Sequence, residues 1–128
     1  MGMDEEMIHS FLKLQWTAQQ QSYLQQYPRA EHLILNQAVH KVGQARLNRS
    51  DIDLTLVDLS LLPAYRNQGI GTSFILKLQT EAAITSKTIY LSVLHDNPSL
   101  RLYERLGFQH KQHNGLHVQM EWSSLLIK

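Results

Sequence analysis

Leu61-Leu62-Pro63-Ala64-Tyr65-Arg66-Asn67-Gln68-Gly69-Ile70-Gly71-Thr72 is the stretch whose reading decides the fold. Before it, residues 52–62 form an apolar, strand-like run. After it, Ile70, Phe74, Ile75, Leu78 and Ala82 recur at helical spacing and predict a helix over 69–85. A strand that enters a helix through two glycines leaves the first helical N–H groups without intrahelical acceptors. The helix dipole adds positive potential there, and the result is a ready site for phosphate. Glycines also relieve strain in any strand-to-helix turn, so the stretch alone leaves a plain turn open. Two nucleotide signatures are excluded. A P-loop ends in Gly-Lys-Ser/Thr, whereas Gly71 is followed by Thr72-Ser73, and the third glycine of the dinucleotide fingerprint is replaced by Phe74.

Working outward, Ile8, Phe11, Leu12, Gln15, Trp16, Gln19, Tyr23 and Tyr27 predict an amphipathic helix from Glu5 to Gln26, stopped by Pro28. Residues 32–36 and 41–47 read as strands joined by a turn at Gln37-Ala38, with Gly43 marking a bulge or a close backbone approach. Asn48 to Asp51 is a turn cluster. Residues 52–62 alternate, with Leu54, Leu56 and Asp58 expected on one face and Thr55, Val57 and Leu59 on the other; both faces are largely apolar, so the strand is central. A strand at 88–94 precedes a short helix, for which Asn97 is an N-cap, Pro98 the first helical residue and Gly107 the C-terminal cap. Residues 108–112 and 116–122 form a hairpin across Asn114-Gly115. The expected fold class is α/β: one domain, residues 1–128, built on a single mixed, mostly antiparallel sheet flanked by helices.

Composition narrows the function. The chain has 128 residues, is 43% hydrophobic and 18% charged, and carries a formal charge of +1, which gives no long-range attraction to nucleic acid. Without cysteine there is no disulfide, thiolate nucleophile or thiolate metal site. No apolar run is long enough to span a bilayer, and Asp4, Glu5 and Glu6 are unlike the start of a signal peptide, so the expected location is cytoplasmic. His110, His113 and His117 straddle a hairpin, a poor arrangement for three converging imidazoles, and no metal is expected.

The Arg66-x-x-Gly69-x-Gly71 spacing, and Asn97-Pro98-Ser99-Leu100-Arg101-Leu102-Tyr103-Glu104-Arg105-Leu106-Gly107-Phe108 after it, resemble the two hallmarks of the GNAT N-acetyltransferase superfamily, in its small bacterial form. The resemblance implies a coenzyme A loop: N–H groups from Asn67, Gln68, Gly69, Ile70, Gly71 and Thr72 on the pyrophosphate, with Arg66 and the Thr72 hydroxyl beside them. It implies that the backbone of Leu59, Ser60 and Leu61 pairs with the pantetheine arm, that Asn97 contacts the cofactor, and that Tyr103 protonates the departing thiolate. Asn97 lies six residues before Tyr103 where seven is common in the family, which favours its capping role. Tyr103 also reads simply as a half-buried core aromatic. Members of the family usually begin with an extra strand and helix, which this chain is expected to lack; an unpaired edge would favour a homodimer.

A protonated alkylamine of pKa about 10.4 costs about 4.6 kcal/mol to deprotonate at pH 7, so a base is expected. Asp58, among apolar neighbours, is the first candidate, with a buried structural carboxylate as its alternative. His95, at the end of the following strand, is the second, with a solvent-facing loop histidine as its alternative. The expected activity is acetyl transfer from acetyl-CoA, as cosubstrate, to a primary amine by direct attack in a ternary complex; no cysteine could carry an acyl-enzyme. The alternatives are a non-catalytic acyl-CoA-binding or regulatory domain, and a structural domain that keeps the fold alone. Sequence leaves the acceptor, small molecule or peptide, open.

Overall fold

The computed structural model describes residues 25–126. The chain divides into two units, Met1–Ala30 and Glu31–Lys128. Of the first, the described part is a helical end at Gln25 and Gln26, then a turn in which the Ala30 N–H donates to the Tyr27 carbonyl at 3.1 Å. The rest of the expected Glu5–Gln26 helix lies outside the described residues.

The second unit is a six-stranded sheet in the order β1-β2-β3-β4-β6-β5. Strands β1 (Glu31–Gln37), β2 (His40–Arg49) and β3 (Asp53–Leu61) form an antiparallel meander. Helix α1 (Ile70–Thr85) crosses to β4 (Thr88–Leu94), which lies parallel to β3; helix α2 (Ser99–Arg105) leads to the hairpin β5 (Gln109–Asn114) and β6 (His117–Trp122), and β6 pairs with β4. This is the mixed, mostly antiparallel α/β sheet that the sequence predicts.

Both helices cover the same face. Ile75, Leu78 and Ala82 of α1 and Tyr103 of α2 join Leu54, Leu56, Ile89, Leu91, Val118 and Met120 in one core. Gln79, buried on α1, ties the helices together by donating its side-chain N–H to the Leu106 carbonyl at 2.8 Å. The sequence gives no hint of this, because a polar side chain in the apolar stripe is tolerated only where a partner meets it.

Local chemistry sets the ends of the elements. Gly69 (φ 82°) starts α1, and its carbonyl accepts the Ser73 N–H at 2.9 Å. At the end of α2 the Gly107 N–H reaches Glu104 and the Phe108 N–H reaches Tyr103, with Gly107 at φ 94°, which is the glycine cap expected. Pro98 is already helical, and Asn97 Oδ1 accepts the Ser99 N–H at 2.9 Å, so Asn97 does cap this helix. Three turns fall one or two residues later than expected. The first hairpin turns at Ala38-Val39, with Ala38 at φ 55°; the second turns at Gly115-Leu116, with Gly115 at φ 60°; and β2 runs on to Arg49, so its turn is pinned by Ser50 Oγ, which accepts the Asp53 N–H at 3.0 Å.

The larger correction concerns β3. Arg46 pairs with Asp58 but Leu47 pairs with Leu56, so Val57 is an extra residue, a β-bulge. The bulge reverses the alternation. Leu59 is partnered with fully buried Ala45 and packs on the core, while Asp58 and Ser60 face away from the helices. Asp58 therefore does not share a face with Leu54 and Leu56. A second register shift, between Leu35 and Asn36, sits beside Gly43. A Cβ on Gly43 would lie 2.4 Å from the Ser60 carbonyl oxygen, so the expected close approach and the expected bulge are both present.

Candidate active site

Strand β3 is paired on both sides only as far as Leu56. Its parallel ladder with β4 runs from Asp53 opposite Thr88 to Leu56 opposite Leu91, and then the two strands part. From Asp58 to Leu61, β3 keeps its β2 partner and shows an unpaired edge to the gap. The Leu62 N–H donates to the Val42 carbonyl at 2.9 Å. In an antiparallel ladder bonded pairs alternate, so Ser60 directs its backbone groups to β2, while Leu59 and Leu61 direct theirs to the gap. Ser60 thus presents no backbone group to the gap.

The loop that follows is stiffened from within. Residues 63–65 make one 3-10 turn, Gln68 Nε2 donates to the Ala64 carbonyl at 2.9 Å, and Arg66 Nε donates to the Leu61 carbonyl at 3.1 Å. Arg66 thus braces the loop against the strand. Asn67 (φ 61°) and Gly69 (φ 82°) take left-handed conformations that turn the chain into α1. Among the described residues none of the backbone N–H groups from Asn67 to Thr72 has a protein acceptor. Gly71 lies under Leu102, and Ile70 is half-buried. A shallow groove of about 450 Å³ continues along α1, lined by Gly69, Thr72, Ser73, Leu76, Lys77 and Thr80. Ser73 and Lys77 were not singled out from sequence; their signal is the i, i+4, i+8 spacing from Gly69.

Asp58 lies on the unpaired part of β3, on the face away from the helices, whereas Tyr103 lies in the core on the helix-covered face. The Tyr103 ring is 5% exposed and packs on Phe108 with centroids 5.6 Å apart. Its hydroxyl has no hydrogen-bond partner among the described residues. Burial and then the Asp58 charge push the Tyr103 pKa up to about 12. Burial also raises the Asp58 pKa, an effect partly offset by the Ser60 hydroxyl, 3.4 Å from both carboxylate oxygens, and by Arg46. The Asp58 charge acts on the Tyr103 hydroxyl, which relates the two candidates electrostatically.

The other candidates stand apart. His95 is exposed at the end of β4, and its described tie is through its backbone, the N–H donating to the Leu116 carbonyl at 2.9 Å. Asn97 is exposed, with its Oδ1 engaged in capping. His110 Nδ1 lies 3.3 Å from His113 Nε2 and its Nε2 3.2 Å from Glu104, while His117 pairs with Leu94 and Asn114 across the strands. Among the described residues no group of three or more His, Asp or Glu side chains is placed to hold a metal. Nor is any described helix long and apolar enough to cross a membrane.

A family model described as "Acetyltransferase (GNAT) domain" matches residues 28–110. Solved structures share the fold. One is the PaiA N-acetyltransferase of Thermoplasma acidophilum in complex with coenzyme A, 21% identical over 94% of this chain and 80% of that one, with a TM-score of 0.67. A GNAT family acetyltransferase from Elizabethkingia anophelis with acetyl-CoA bound is 14% identical over 80% of this chain and 82% of that one, with a TM-score of 0.68. PH1933 from Pyrococcus horikoshii is 18% identical with a TM-score of 0.62; 71% of this chain is covered, and it spans only 63% of that protein. No curated protein sequence matches the chain.

Proposed function

The chain belongs to the GNAT acetyltransferase family, and from that premise we propose that it moves an acetyl group from acetyl-CoA to a primary amine by direct attack in a ternary complex. The observation that carries this reading is the parting of β3 and β4 beyond Leu56 and Leu91, with an unsatisfied N–H cluster in the loop that follows β3. The donor fits the residues present. The backbone groups of Leu59 and Leu61 can pair with the amide-bearing arm as a strand pairs with a sheet edge. The N–H groups of Asn67 to Thr72 suit the pyrophosphate, and Lys77 beside the groove adds positive charge.

In this mechanism Asp58 accepts a proton from the substrate ammonium, directly or through water. The freed nitrogen lone pair attacks the thioester carbonyl carbon, whose oxygen is polarised by backbone N–H groups of the gap. The C–S bond breaks as the Tyr103 hydroxyl gives its proton to sulfur. A phenol with a pKa near 12 keeps its proton at every working pH, and part of its reluctance to ionise comes from the Asp58 charge. Once Asp58 is protonated that part is lifted, so base and acid assist each other. The nitrogen gives up its second proton to solvent as the amide forms, and the Asp58 proton restores the phenol through solvent. The net change is ammonium plus thioester giving amide, thiol and one released proton.

Thermal unfolding with coenzyme A and acetyl-CoA tests the donor. Ligand at a hundredfold excess over its Kd should stabilise the protein by about 2.7 kcal/mol. An amine panel followed by free-thiol release then tests transfer. No stabilisation by either ligand would refute the reading; binding without thiol release from any amine would leave a non-catalytic acyl-CoA-binding domain.

A further inference from the structure

His32, Arg46 and Asp58 are direct partners across three adjacent strands: His32 opposite Arg46, and Arg46 opposite Asp58. Paired residues project to the same side of a sheet. The three ionisable side chains therefore form one row on the face away from the helices, ending beside the gap. At its outer end His32 Nε2 lies 2.8 Å from Gln44 Oε1. Opposite charges in register ordinarily close into an ion pair, but Arg46 and Asp58 are not among the ion pairs of the described residues. Asp58 has the Ser60 hydroxyl instead, and Arg46 Nε is buried with no partner. A buried N–H of a guanidinium is costly to leave unmet, and its planar fork matches two oxygens of an oxyanion.

On the acetyltransferase reading above, we propose that the acceptor is an amine carrying an oxyanion, carboxylate or phosphate, a few bonds from its nitrogen. Arg46 takes the oxyanion through its unmet Nε–H, while the amine lies against Asp58 and faces the gap. The order of charges along the row complements such a zwitterion. A second cation on the acceptor would instead meet the guanidinium, so the row selects against polyamines.

Matched acceptors test this: alanine against alanine amide, and phosphoethanolamine against ethylamine, followed by thiol release. The oxyanion-bearing member of a pair should exceed its uncharged partner in kcat/KM by roughly tenfold to a hundredfold, the size of a hydrogen bond to a charged group. The pair with the larger ratio identifies carboxylate or phosphate. Arg46→Gln should collapse that ratio towards one, chiefly through KM, and Arg46→Lys should restore only part, since an ammonium lacks the fork. Equal rates within both pairs would overturn the proposal while leaving the acetyltransferase reading intact. Should no amine release thiol, the Arg46 Nε–H resonance decides separately. Identified by its loss in Arg46→Lys and titrated with N-acetylalanine and N-acetylphosphoethanolamine, it should move with at least one of them. A resonance unmoved by both would overturn the proposal.

Discussion

The two halves of β3 differ in one thing, a partner. From Asp53 to Leu56 the strand is bonded on both sides, and Leu54 and Leu56 are 0% and 4% exposed. From Asp58 to Leu61, beyond the bulge at Val57 that has reversed its faces, it is bonded on one side, and its residues are half-buried or exposed. The first half holds the protein together. The second offers the backbone edge and the carboxylate that we assign to the reaction. A strand whose ladder stops partway supplies a site rigidly, because the unpaired half is held by the same backbone that anchors the paired half.

The sharpest way to break that contrast is to damage each half. In the paired half, Leu54→Ala should cost about 2–5 kcal/mol of stability by opening a cavity in the core, measured by denaturant unfolding. At the gap, Tyr103→Phe should lower kcat by about a hundredfold or more, the usual worth of a positioned proton donor, with little change in unfolding. A stability loss without a rate loss would make Tyr103 a core aromatic only. Its titration is a separate check. The last tyrosine to ionise in a near-ultraviolet pH titration should do so near pH 12 and be missing from the variant. Because the folded pKa exceeds that of the unfolded chain, near 10, the stability this tyrosine contributes is present below pH 10 and lost as pH rises towards 12.

Smaller effects sharpen the unpaired half. Gly43→Ala places a methyl group against the Ser60 carbonyl and the Leu61 side chain. It should cost about 1–3 kcal/mol, as overpacking does, and weaken coenzyme A binding by displacing the strand edge. Unchanged affinity would separate that edge from the donor site. Asp58 gives the smallest change in stability. Its folded pKa is raised, chiefly by burial, so the folded protein favours the protonated form. Stability should fall as pH rises from the ordinary value of 3.8 through the raised one, and Asp58→Asn should remove that decline. If Asp58 is the base, the same variant loses the acid limb of the kcat/KM profile.

Much of this was legible in the chain because local chemistry is local. Gly69 and Gly107 are needed where φ is positive, Asn97-Pro98 starts a helix, and Gly43 stands where backbones touch. Turn positions differ by one or two residues because strand pairing, and not the turn residues alone, sets where each strand ends, as at Ala38-Val39 and Gly115-Leu116. The face of Asp58 was misread because period-two counting assumes an unbroken ladder, and nothing about Val57 announces an extra residue. Arg46 carries no signal in the sequence, because an arginine in a strand becomes informative only when its cross-strand partner is known.

By itself the sequence determined the donor side: the strand, the glycine turn and the helix that follow one another over residues 52–85, whose exposed N–H groups depend on neighbouring residues alone. Only the tertiary structure decided where β3 and β4 part, which face Asp58 takes, and that Tyr103, 45 positions later, lies close enough to feel its charge. Those depend on register and on pairing between distant strands, where a single inserted residue exchanges inside for outside.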